Sequence, residues 1–119
     1  RHNEYPQRIF EMGTVFRQQG KRHQEDPHLS ILLSHSHADY TEIKQILEAV
    51  CSALGIATAN RIKEEDHPSF IPGRRATLAF AELGEIHPRV LEKFYLEMPV
   101  AALELNLSDL YRASRAKKD

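Results

Sequence analysis

Tryptophan is absent from this 119-residue chain, and cysteine occurs once, at Cys51. A single cysteine excludes an intrachain disulfide, and a reducing compartment fits that usage. Glycine is scarce. Gly13, Gly20, Gly55, Gly73 and Gly84 each stand alone, which excludes a Gly-rich phosphate-binding loop. No apolar run approaches the ~20 residues of a membrane-spanning helix, and no signal peptide is visible. Neither charge dominates: 16 basic and 17 acidic residues leave a net charge of −1. No global field therefore draws the chain to nucleic acid or to an anionic membrane. The sequence begins at Arg1 rather than at methionine, which reads as a fragment or a processed chain.

What is present suits one globular domain over residues 1–119, with 41% hydrophobic residues to build a core without staples. RIFEMGTVF (Arg8–Phe16) is rich in strand formers, and Gly13 inside it predicts a bulge or a close backbone approach. Arg17–Pro27 is polar, holds Gly20 and Pro27, and reads as a loop. LSILLS (Leu29–Ser34) has strand length. Ile43, Ile46, Leu47, Val50 and Leu54 then form one stripe of a 3.6-period helix. Asp39 can cap it by accepting from the N–H of residue 42, Glu42 can reach back, and Gly55 supplies the stop. Ala57–Asp66 reads as a partly exposed strand, and His67–Arg75, with two prolines and Gly73, as an irregular or edge segment. Arg75–Phe80 predicts another strand. Pro88 fits the first position of a short helix whose apolar face is Val90, Leu91 and Phe94. Val100–Leu107 places Leu103, Leu105 and Leu107 on one side of a strand. Residues 108–119 read as a polar, basic, solvated tail. The sum, about five strands and two helices, is α+β with a mostly antiparallel sheet flanked by helices.

The chemistry-bearing candidates are few. His35, His37 and Asp39 alternate at the end of the LSILLS run. That spacing resembles the H-x-H-x-D metal-binding stretch of the metallo-β-lactamase superfamily. Tyr40 stands where that pattern would continue with histidine, and only His67 and His87 remain as distant ligands. Asp39 also has a competing role as a helix cap. A metal-dependent hydrolase using His35, His37 and Asp39 is therefore the alternative, not the main reading. His67 and His87 each precede a proline, where a histidine serves more often as a turn hydrogen-bonder than as a base. Cys51 lies beside the helical stripe and reads as a small core residue.

Four stretches carry a further reading: YPQRIFEMG (Tyr5–Gly13), TEIKQILEAVCSALGI (Thr41–Ile56), HPSFIPGRRA (His67–Ala76) and GEIHPRVLEKFYLEMPVAALELNL (Gly84–Leu107). In this order they resemble the C-terminal part of the catalytic-like module of the phenylalanyl-tRNA synthetase β subunit, archaeal/eukaryotic type. The resemblance spans about residues 5–107. It implies a class II synthetase-like antiparallel sheet that does not catalyse. It implies a partner, the catalytic α subunit, within an (αβ)₂ heterotetramer that attaches phenylalanine to tRNA in the cytoplasm. ATP and Mg²⁺ belong to that whole enzyme, and no cofactor or metal ligand is carried over to this fragment.

The residues agree with a silent site. A working class II site needs an arginine-bearing motif for the ATP phosphates and a Gly-rich strand before a second arginine. Neither is here, and Gly73-Arg74-Arg75 has the residue types without that context. The expected structural positions are Gly13, Asp39, Gly55, Gly73 and Pro88, and the expected interface residues are Phe70 and Ile71. The pattern departs from the family in two places. The loop after Phe16 is short, and ATLAFAELGEIHP (Ala76–Pro88) has no turn residue before Gly84, so the hairpin is reduced or residues are missing near 79–84. A stand-alone homo-oligomeric paralogue with a binding role is the other alternative, since an isolated fragment can dimerise through the surface meant for its partner.

Overall fold

The structure, a computed structural model, describes residues 7–20, 22–58 and 61–116. Its elements are β1 (Gln7–Gln19), β2 (Arg22–Ser34), α1 (Tyr40–Ala53), β3 (Lys63–Glu64), β4 (Phe70–Leu78), β5 (Ala81–Ile86), α2 (Pro88–Lys93), β6 (Val100–Asn106) and α3 (Leu107–Ala116). The strands form one six-stranded sheet in the order β1-β2-β6-β5-β4-β3, with every pairing antiparallel. The α+β reading holds, with one strand and one helix more than the sequence pattern suggested.

Alternation along the strands separates two faces. Ile31, Leu103, Leu83 and Ala76 are successive cross-strand partners on β2, β6, β5 and β4, and all are buried. Leu105, Ala81 and Leu78 form the next row. Helix α1 covers this side through Ile43, Leu47 and Cys51, spaced four residues apart and fully buried. Each such apolar side chain contributes about 1.5–3 kcal/mol relative to exposure. Asp39 has extended backbone and accepts from the N–H of Glu42 at 2.9 Å, while Gly55 follows the helix at φ +75°. Glu42 does not simply complete a capping box: its carboxylate meets His35 Nε2 at 2.6 Å.

Four expectations are corrected. First, Gly13 makes no bulge. It pairs with His28 in an unbroken register from Gln7↔Ser34 to Gln19↔Arg22, and a Cβ there would meet nothing within 4 Å. Second, the Arg17–Pro27 loop is mostly strand, because β1 and β2 run on as a ribbon past β6, whose pairing with β2 ends at His28↔Asn106. Pro27 is tolerated there because β6 offers it no partner. Third, of the stretch 57–66 read as a strand, residues 59–60 lie outside the described residues, and among the described ones strand is confined to Lys63–Glu64. Fourth, most of the stretch read as a tail is helix α3, started by Asn106 Oδ1 accepting from the Asp109 N–H at 3.0 Å and anchored by buried Leu110.

The β4–β5 hairpin closes without missing residues. Leu78 pairs with Ala81 across a two-residue tip, Ala79-Phe80. Tertiary packing substitutes for turn chemistry. Phe80 is 1% exposed and its carbonyl accepts from Asn106 N at 2.8 Å, pinning the tip to β6. Further along, Phe70 pairs with Ile86 but Arg75 pairs with Gly84, so Ile71–Arg74 bulge out of β4. Gly73 serves that bulge at φ +78°, donating its N–H to Asp66 Oδ1 at 3.0 Å. Pro88 is the first residue of α2. The apolar side of that helix is not buried: Phe94 is 69% exposed and the following Tyr95 is 92% exposed.

Candidate functional site

The uncovered sheet face carries an apolar row, Ile9, Leu32, Ala102 and Gly84 across β1, β2, β6 and β5, beside a polar one. Ser30, Glu104, Glu82 and Thr77 form one cross-strand row over β2, β6, β5 and β4. Two carboxylates thus stand directly opposite each other, an arrangement that disfavours itself unless each finds a donor. Glu104 takes one from His28 Nδ1 at 2.8 Å. Glu82 takes two from the Arg75 guanidinium, Nε at 3.1 Å and Nη2, while Arg75 Nη1 donates to the Glu65 carbonyl. Glu65 also accepts from the Thr77 hydroxyl at 3.1 Å. Arg75 is only 12% exposed and stacks 5.5 Å from the Phe70 ring. Each of its three guanidinium nitrogens bonds to one of its own neighbours. A phosphate on this row would meet the Glu82 and Glu104 carboxylates and an Arg75 already bonded to Glu82.

Gly84 lies in the adjacent row and was not singled out from the sequence. A Cβ there would stand 2.5 Å from Phe70 Cδ1 and 2.9 Å from the Arg74 carbonyl. Phe70 therefore crosses the sheet over a gap that only glycine leaves. The signal for it was a glycine inside a strand run. Glu85 was also missed. It is 8% exposed on the covered side, accepts from Tyr40 N at 3.3 Å, and pairs with Arg74 Nη1 at 3.2 Å. A buried carboxylate thus helps hold the start of α1.

His35, His37 and Asp39 do not converge on a metal position. His35 Nδ1 accepts from the His37 N–H at 3.1 Å, so its Nε2 carries the proton given to Glu42. Asp39 Oδ1 is the α1 cap. Among the described residues no three His, Cys, Asp or Glu groups are set to hold a metal. His67 and His87 repeat the same local device, each Nδ1 accepting from the amide two residues on, Ser69 N and Arg89 N, at 3.1 Å. Cys51 is fully buried; that burial pushes its thiol up, with Arg61 opposing and Glu48 adding. It is a core residue, not a nucleophile. Tyr40 is raised by burial and then by Glu64 and Glu48. Phe70 and Ile71 are both half-buried.

The antiparallel six-stranded sheet with helices packed on one side is a class II aminoacyl-tRNA synthetase fold. Two solved structures of pyrrolysyl-tRNA synthetase from Desulfitobacterium hafniense superpose on 95% of this chain and 43% of theirs, at TM-scores of 0.69 and 0.70 and 20% identity. The sequence narrows the class further. Residues 1–107 match the model of the CLM domain of the phenylalanyl tRNA synthetase beta chain, and the protein belongs to that family. It is 42% identical over 119 residues to the phenylalanine–tRNA ligase beta subunit of Thermococcus onnurineus and 38% identical over 116 residues to that of Archaeoglobus fulgidus. Each alignment covers 93% of this chain and 20% of the relative, so the chain spans about a fifth of the length of these curated relatives.

Proposed function

We propose that this chain is the C-terminal portion of the non-catalytic module of a phenylalanine–tRNA ligase β subunit. It supports the (αβ)₂ enzyme that attaches phenylalanine to tRNA in the cytoplasm. The observation that carries the non-catalytic role is the sheet face whose arginine and histidine are bonded to its own Glu82 and Glu104. ATP and Mg²⁺ act on the partner α subunit. The module's contribution is surface: Phe70 and Ile71 beside the β4 bulge, with exposed Phe94 and Tyr95 after α2, face the partner. Among the described residues no helix is long and apolar enough to cross a membrane. Co-purification of the β subunit bearing this module with the catalytic α subunit, followed by solution mass, tests the reading. A stable complex is expected. Loss of the complex on deletion of an upstream segment alone, with this module irrelevant to assembly, would count against it.

A further inference from the structure

The two His-Pro pairs, 20 residues apart in sequence, meet in the fold. His87 N donates to the Ser69 carbonyl at 2.9 Å, tying one turn to the other. Asp66, His67, Pro68, Phe70, Pro72, His87 and Arg89 then line one open cavity of about 350 Å³. In both histidines Nδ1 is occupied as an acceptor, so the ring proton sits on Nε2 as a donor. No hydrogen-bond acceptor for either Nε2, and no carboxylate for the Arg89 guanidinium, is found among the described residues. The one acidic rim residue, Asp66, already accepts from Gly73 N. The cavity therefore gathers two imidazole N–H donors and one guanidinium, against the single carboxylate of Asp66, above an apolar floor of Pro68, Phe70 and Pro72. The backbone amides play no part, because Ser69 N and Arg89 N are the ones bonded to the imidazoles.

From this geometry we infer that the His67/His87/Arg89 cavity is a receptor for a single carboxylate, from an Asp or Glu side chain or a polypeptide's terminal carboxyl, presented by the partner subunit. One guanidinium and two neutral N–H donors match a monoanion, and the proline and phenylalanine floor matches the apolar surround of a side chain at a protein interface. A nucleic-acid strand fits worse: a single carboxylate meets the lining Asp66 alone, whereas a row of phosphates would also pass Glu64 and Glu65. The inference rests on the interface reading above, and Phe70 belongs to both surfaces.

The test uses the α and β subunits together, with assembly affinity measured by sedimentation as a function of salt. His67→Asn and His87→Asn keep a side-chain acceptor for the amide two residues on, so each turn survives, while the Nε2 donor is removed. Arg89→Ala removes the charge. Each variant should weaken assembly, Arg89→Ala by roughly tenfold or more, and Arg89→Lys should restore part of it. Unchanged affinity in both Arg89→Ala and His87→Asn would overturn the inference. A raised KM for tRNA with a reduced salt slope, at unchanged assembly affinity, would also overturn it and assign the cavity to RNA phosphate. Failure of the wild-type subunits to assemble at all would instead overturn the parent reading.

Discussion

The two faces of the sheet are built from the same strands yet obey different rules. On the covered face, Ile31, Leu83, Leu103 and Leu105 are buried beneath α1 and α3, and stability comes from area removed from water. On the open face, His28–Glu104 and Arg75–Glu82 satisfy each other in the presence of solvent, with Glu104 47% exposed. The first face makes the fold. The second engages its basic side chains with acidic neighbours one strand away.

That contrast can be broken from either side. Leu103→Ala on the covered face should cost about 2–5 kcal/mol of unfolding free energy, measured by urea titration. Gly84→Ala on the open face should cost about 1–3 kcal/mol through the clash with Phe70 and the Arg74 carbonyl. Gly13→Ala, with no neighbour within 4 Å, should stay within about 0.5 kcal/mol. Equal effects at the two glycines would contradict the crossing of Phe70 over Gly84.

Alkali gives a smaller and graded effect. Cys51 and Tyr40 are both held above their usual 9.0 and 10.0, so the folded chain keeps these protons longer than the unfolded chain. Their contribution is complete below pH 9.0 and is lost as pH rises through those values and the raised folded ones. Urea midpoints should therefore fall as pH climbs through 9.0 and past 10.0, and Tyr40→Phe should make that fall shallower. Smallest of all, Glu104→Gln should change stability by less than about 1 kcal/mol, and salt should erase the difference.

What the sequence made legible was local. The α1 stripe, the Asp39 cap and the Gly55 stop are near-neighbour devices, and so are the pre-proline histidines. The family resemblance rested on such stretches and placed the fold. What stayed hidden depended on distant contacts. The Ala79-Phe80 tip carries no turn residue because burial of Phe80 and its bond to Asn106 hold it instead. The β1–β2 ribbon looked like a loop because Arg17–Pro27 is polar throughout, so no apolar alternation marks it. Helix α3 buries Leu110 alone, too little apolar pattern to distinguish it from a tail. Glu85 and Gly84 acquire meaning only from Tyr40, Arg74 and Phe70, which lie elsewhere in the sequence or across the sheet.

The claim that the open face takes no part in chemistry is tested most directly in the assembled enzyme. His28→Ala and Arg75→Ala, introduced together, remove the side chains bonded to Glu104 and Glu82 on this face. The account predicts aminoacylation kcat within about twofold of wild type once assembly is confirmed. A fall of about a hundredfold in kcat, in enzyme that assembles normally, would show that this face contributes to the transition state and would contradict it.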